Sequence, residues 1–155
     1  MYLLSILCVI LLVGVMGIIS WGMDASYILR FVDFNTLLFL VLFLIPLLSS
    51  GGLLKDFNNA FRLGIGKKKA ASLMELKRAK ESVSLTIKIL LAVSAFIGSI
   101  QGVFILYNMD DPSFLGPYFS VVLLTVVYGM GIILILLPLQ AKLNIKIQEY
   151  ISEKE

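Results

Sequence analysis

Apolar residues in this chain fall into four blocks. No Asp, Glu, Lys or Arg occurs in residues 1–23, 34–54, 89–109 or 112–141, and each block reaches the roughly 20 apolar residues that a membrane-crossing helix needs. The pattern predicts transmembrane helices over about 2–23, 34–54, 89–109 and 113–137, in one all-α membrane domain covering 1–155. Residues 55–88 form the one long polar segment between blocks. From Ala70 onward good helix formers run without Pro to Tyr107 and without Gly until Gly98, so a single helix is expected from the polar segment through the third block. Beyond the fourth block, Leu139, Leu143, Ile147 and Ile151 recur every fourth residue. That stripe makes 139–155 an amphipathic tail suited to a neighbouring helix or a membrane surface. Third and fourth helices are thus both expected to be long and to extend into the cytoplasm. Pro46 predicts a kink in the second helix, Ser49-Ser50-Gly51-Gly52 loosens its end, and Gly64-Ile65-Gly66 breaks the polar segment. Asn108–Ser113 reads as a turn.

Composition agrees with this picture. The chain is 59% hydrophobic and 15% charged, with a mean hydropathy of +0.99, whereas soluble domains are about 45–50% apolar and about 25% charged. Charge then supplies orientation. Twelve of the thirteen Lys and Arg residues lie in 55–88 or 142–155, and the basic excess marks the cytoplasmic side. Both termini and the 55–88 segment are therefore expected in the cytoplasm, and the +3 net charge reads as a topology signal, with no nucleic-acid partner. The first block has no basic leader and no A-x-A-like exit at Ser20–Met23, so it is read as a retained span.

Candidate chemistry is sparse. There is no histidine, and Cys8 is the only cysteine, so neither an imidazole metal site nor an intrachain disulfide is available, and neither enzyme activity nor a cofactor is expected. None of the four blocks carries an ionisable side chain. A proton-coupled exporter needs an intramembrane carboxylate, which argues against that class, and any ion route here borrows its carboxylate from a partner.

Small and polar residues in the third block carry more information. Ser94, Gly98 and Gly102 recur every four residues, and Gly98/Gly102 form a GxxxG that permits close helix approach. Lys88, Ala92, Ala95, Ser99 and Val103 share a second, mostly small face, with Ser94 and Gln101 pointing away from Ser99. Packing alone accounts for the glycines, and Gln101 reads as interhelical glue. Ser99 has two readings, a hydroxyl bonded to its own helix or a pathway residue. In the fourth block Thr125, Tyr128, Gly129 and Ile132 share a stripe, with Val126 about 100° around the helix. Tyr128 reads as packing or as function.

Three runs of residues carry a family resemblance. Asp111-Pro-Ser-Phe-Leu-Gly116-Pro117, Val121-Val-Leu-Leu-Thr-Val-Val-Tyr-Gly129 and Leu137-Pro138-Leu-Gln-Ala-Lys142-Leu143 resemble the last-span signature of the MotA/TolQ/ExbB family, which in flagellar stator members reads approximately D-P-S-x-L-G-P, A-L-L-T-T-L-Y-G and L-P-L-A-x-K-L. Asp33-Phe-Asn-Thr-Leu-Leu38 is similar to the start of that family's second span, and Gly98-Ser-Ile-Gln-Gly102 to its third-span G-T-V-x-G. The resemblance extends over nearly all the chain. It implies an ion-channel subunit of a proton- or sodium-driven motor in a bacterial cytoplasmic membrane, five copies surrounding a single-span MotB/ExbD/TolR-like partner that carries an intramembrane Asp. Ser99 and Thr125 are then the hydroxyls beside that carboxylate, Ala92, Val126 and Tyr128 line the path, Gly98, Gly102 and Gly129 pack the helices, and Pro138 bends the cytoplasmic exit. Three departures stand out. The cytoplasmic insertion is shortened to about thirty residues, Ala92 replaces the family's third-span proline, and Val126 replaces its fourth-span threonine. A non-conducting membrane scaffold with the same fold is the competing expectation.

Overall fold

In the computed structural model, residues 6–8, 10, 11, 14, 15, 33–66, 72–107 and 112–153 are described. Over residues 33–153, α1 (Phe34–Ser50), α2 (Leu54–Ile65), α3 (Leu73–Tyr107) and α4 (Leu115–Ser152) follow one another, with a short 3-10 turn at Pro112–Phe114 opening α4. No strand occurs among the described residues. The described chain is all-α.

Local chemistry sets the helix limits. Asp33 caps α1, accepting the Asn35 N–H on Oδ1 at 3.0 Å and the Thr36 hydroxyl on Oδ2 at 2.6 Å. Ser72 opens α3 by accepting the Glu75 N–H at 3.2 Å, in the S-x-x-E spacing of a capping box. Gly66 closes α2 in the left-handed region at φ 82°, where glycine meets no Cβ penalty. α1 ends at Gly51, and the chain turns through Gly52, at φ 64°, into α2, bent 102° from α1.

Helices α3 and α4 are each long and apolar enough to cross a membrane, and α1 with α2 makes a third candidate if the bent pair counts as one span. The first expected span, 2–23, lies largely outside the described residues, and the expected second span corresponds to α1. The fourth helix runs on past its apolar block: α4 continues through Pro138 to Ser152. Burial explains the continuity: Leu136, Leu139, Leu143 and Ile147 lie buried on one stripe, and that packing outweighs the hydrogen bond that Pro138 removes. Within residues 55–88, α2 occupies the first third and packs on α3 and α4.

The core lies where the polar halves of α3 and α4 meet α2. Ala60 and Leu63 of α2, Leu76, Ala79 and Val83 of α3, and Leu139 and Leu143 of α4 are buried together. Toward the 108–111 tip the picture reverses. Val103, Phe104, Leu106 and Tyr107 are exposed, and so are Leu115, Tyr118, Phe119 and Val121. Such a wide apolar exterior suits a lipid environment. The protein therefore has the character of a transmembrane helical hairpin, anchored at its polar end by α2.

Candidate functional site

The α3–α4 seam holds most of the residues singled out in the sequence. Its register is set at three points. Gly129 lies against Ser94, Gly98 against Val122 and Val126, and Thr125 bonds Gln101. α3 turns Leu90, Ser94 and Gly98 inward, while the face carrying Lys88, Ala92, Ala95, Ser99 and Val103 is exposed along its whole length.

Thr125 is fully buried. Its hydroxyl donates to Gln101 Oε1 at 3.0 Å, with the Val121 carbonyl a longer alternative at 3.4 Å. Ser99 sits elsewhere, exposed in an open apolar groove between Phe96, Ile100 and Val103, and its hydroxyl donates to the Ala95 carbonyl of its own helix at 2.8 Å. A single chain thus does not bring Ser99 and Thr125 together. Ala92 is exposed on the Ser99 face, and Val126 is half-buried against Gly98. Tyr128 reaches across to the start of α1, where its hydroxyl oxygen accepts the Asp33 N–H at 2.8 Å.

The glycines separate into distinct roles. A Cβ on Gly129 meets Ser94 Cβ at 2.6 Å and Oγ at 2.7 Å, one on Gly98 makes ordinary contacts from 3.6 Å, and one on Gly102 has no neighbour within 4 Å. Of these three, only Gly129 demands the absence of a side chain, while Gly102 makes no close approach to the described residues. Pro138 lies half-buried inside α4.

Hydroxyls on this seam otherwise satisfy themselves. Ser82, Thr86 and Ser94 are buried, and each donates to a carbonyl of its own helix. Among the described residues no buried side-chain polar atom lacks a partner, as an apolar solvent demands. Gln101–Thr125 is a polar link between α3 and α4 within their apolar halves, and it fits the reading of Gln101 as glue. Its strength is measurable: a double-mutant cycle of Thr125→Val and Gln101→Leu in mixed micelles is expected to give a coupling of about 0.6 kcal/mol and no more than about 1.7 kcal/mol. Zero coupling removes the bond from the account of the seam.

Sequence reasoning did not anticipate the Tyr128–Asp33 link, because the two residues lie 95 positions apart and only the fold brings them together. Comparison with protein-family models, curated proteins and solved structures gives no match for this chain.

Proposed function

We propose that the chain is the ring-forming channel subunit of a proton- or sodium-motive-force-driven membrane motor of the MotA/TolQ/ExbB kind. In this reading it crosses a bacterial cytoplasmic membrane four times with both termini inside. Several copies, five by the resemblance, surround a single-span partner that brings the ion-binding Asp. One observation carries the reading: α3 closes one face on α4 and leaves the opposite face, with Ala92, Ala95 and Ser99, open over its apolar length. A small-residue face of this kind lets another helix approach closely, and the motif resemblance supplies its occupants as a neighbouring copy and the partner helix.

Chemistry on that face is limited to hydroxyls and apolar groups. A dry lumen lined this way excludes ions through their desolvation cost, so the chain alone leaks little and conduction needs the partner's carboxylate. Ser99 stands on the open face, where a switch of its hydroxyl from the Ala95 carbonyl toward that carboxylate is sterically free. Thr125 acts from behind, holding α4 on α3 through Gln101.

A second reading, the non-conducting scaffold, draws on a specific observation as well. The Thr125 hydroxyl is engaged by Gln101 and Val126 offers no hydroxyl, so α4 presents no free hydroxyl at either position. Uptake of protons and of sodium into liposomes, with and without a co-expressed single-span partner bearing an intramembrane Asp, separates the two. The motor reading expects flux only with the partner. It also expects a several-fold loss in Ser99→Ala, since one hydroxyl contributes on the order of 0.5–1.5 kcal/mol, and no loss in Val126→Thr. Absence of partner-dependent flux of either ion leaves the scaffold.

A further inference from the structure

We infer that α2 is an interfacial helix lying in the plane of the membrane's cytoplasmic face, and that its Lys55 and Arg62 bind the headgroups of anionic phospholipids. This goes beyond the channel reading and holds whether or not the chain conducts ions.

The elbow sets the depth of α2. α1 carries no charge along its 17 residues, about 25 Å of helix, and it ends with Gly51 against Leu85 of α3. Leu85 is three residues, about 4.5 Å, to the polar side of Lys88, the last charge before the apolar run of α3. The chain bends by 102° at that level, which turns α2 across the direction of α1 and lays it along the surface, at headgroup level.

The edges of α2 fix its rotation. Asp56 pairs with Arg78 at 3.0 Å, and the Asn59 amide donates to Glu75 at 2.7 Å. Arg78 and Glu75 lie ten and thirteen residues to the polar side of Lys88, so this edge faces away from the bilayer. The opposite edge is apolar. Phe57 and Phe61 stack edge-to-face at 5.2 Å, flanked by Leu54 and Ile65, which are 42% and 37% exposed. It faces the acyl boundary.

On the outward face, Lys55 and Arg62 are two turns apart and both exposed, with Asn58 between them. Asp56, the one acidic residue of α2, is engaged by Arg78. The outward face is therefore cationic with no carboxylate of its own, and Lys67-Lys68-Lys69 follow directly in the sequence. An apolar edge beside a cationic face is the arrangement by which a helix lies on an anionic membrane.

The test uses the full chain in a Cys8→Ser background, reconstituted into vesicles. A nitroxide at Ile65 is expected to collide with oxygen and to be shielded from a water-soluble nickel complex, whereas one at Lys77 is open to nickel. A fluorophore at Asn58 is then exposed to phosphatidylglycerol or phosphatidylcholine carrying the same headgroup-level quencher at the same density. Phosphatidylglycerol is expected to be preferred roughly 25-fold, the product of about 1 kcal/mol from each of the two basic residues. Lys55→Gln and Arg62→Gln should each lower its preference roughly fivefold, the factor that about 1 kcal/mol per basic residue represents, and the double variant should approach the phosphatidylcholine value. Both substitutions leave the Asp56–Arg78 and Asn59–Glu75 contacts in place, so the elbow is retained. Equal quenching by the two lipids, or a preference that Lys55→Gln/Arg62→Gln leaves intact, overturns the inference. An Ile65 nitroxide lying in water also overturns it, in favour of a docking face for a soluble acidic protein.

Discussion

Gly129→Leu is expected to abolish the α3–α4 seam, while Gly102→Leu leaves the fold of the single chain intact. At Gly129 even a methyl group overlaps Ser94, whose Cβ and Oγ lie 2.6 and 2.7 Å from the added carbon, with the Leu90 carbonyl behind at 3.5 Å. Ser94 is short and fixed to a helix backbone, so it cannot swing aside; the helices must separate. Overpacking of this kind costs about 1–3 kcal/mol for one added carbon, which sets the expected loss for Gly129→Ala. The four-carbon side chain of leucine exceeds what the gap can absorb. A compensating swap checks the cause: Gly129→Ala with Ser94→Gly moves the glycine to the other helix and should restore most of the lost stability. Unfolding midpoints in mixed micelles read all three variants. A Gly129→Leu chain that unfolds at the parent midpoint, or a swap that restores nothing, would falsify the packing account. Gly102 supplies the contrast. With no described atom near its added Cβ, a loss on Gly102→Leu that appears only in the assembly points to contact with another chain, and size-exclusion mass measurement reads it.

Long elements were legible in the sequence because their signals are long. α3 was expected from Ala70 and begins at Leu73, where the Ser72 hydroxyl accepts the Glu75 N–H. The stripe Leu139, Leu143 and Ile147 is buried as its spacing implied, and Ile151 at the frayed end is exposed. α2 escaped notice for a physical reason. Its twelve residues mix three charged groups with Leu54, Phe57, Phe61 and Ile65, so neither the charge-free runs nor the basic-residue count separates it from its surroundings. The apolar residues at three- and four-residue spacing were the signal that could have found it.

Face assignments on α3 were legible as well, since 100° per residue fixes which side chains share a side. What each face meets depends on hairpin register, which one chain's periodicity does not encode. Ser94, Gly98 and Gly102 look equivalent in sequence, yet the seam uses the first two and leaves the third. Toward the tip, aromatic side chains such as Phe104 and Phe119 are exposed, and a Cβ on Gly102 meets no described neighbour. Thr125 and Ser99 differ in the same way. Both are hydroxyls in apolar helices, but one faces the partner helix and the other faces outward.

Removing the side chain of Asp33 is expected to release the start of α1, and removing the hydroxyl of Tyr128 to loosen it. Asp33 does two jobs from its carboxylate, receiving the Asn35 N–H and the hydroxyl of the buried Thr36, and one from its backbone, donating to Tyr128. Loss of an N-cap costs about 0.5–2 kcal/mol, and a buried hydroxyl left without an acceptor adds about 1–3 kcal/mol. Asp33→Ala should therefore cost about 1.5–5 kcal/mol, with Asp33→Asn retaining most of the cap because asparagine also accepts from the helix N–H groups. Tyr128→Phe strands the Asp33 N–H instead. A loss of about 0.5–1.5 kcal/mol is expected, the net worth of one hydrogen bond. Hydrogen exchange at Asn35–Leu37 reads the effect where it arises: about 30-fold faster exchange corresponds to 2 kcal/mol. The same variant decides what Tyr128 is for. If the tyrosine lines an ion path, Tyr128→Phe changes partner-dependent flux and leaves exchange at the start of α1 unchanged. The hydrogen bond to Asp33 predicts the reverse order, with α1 loosening first and flux falling only as far as the seam is disturbed.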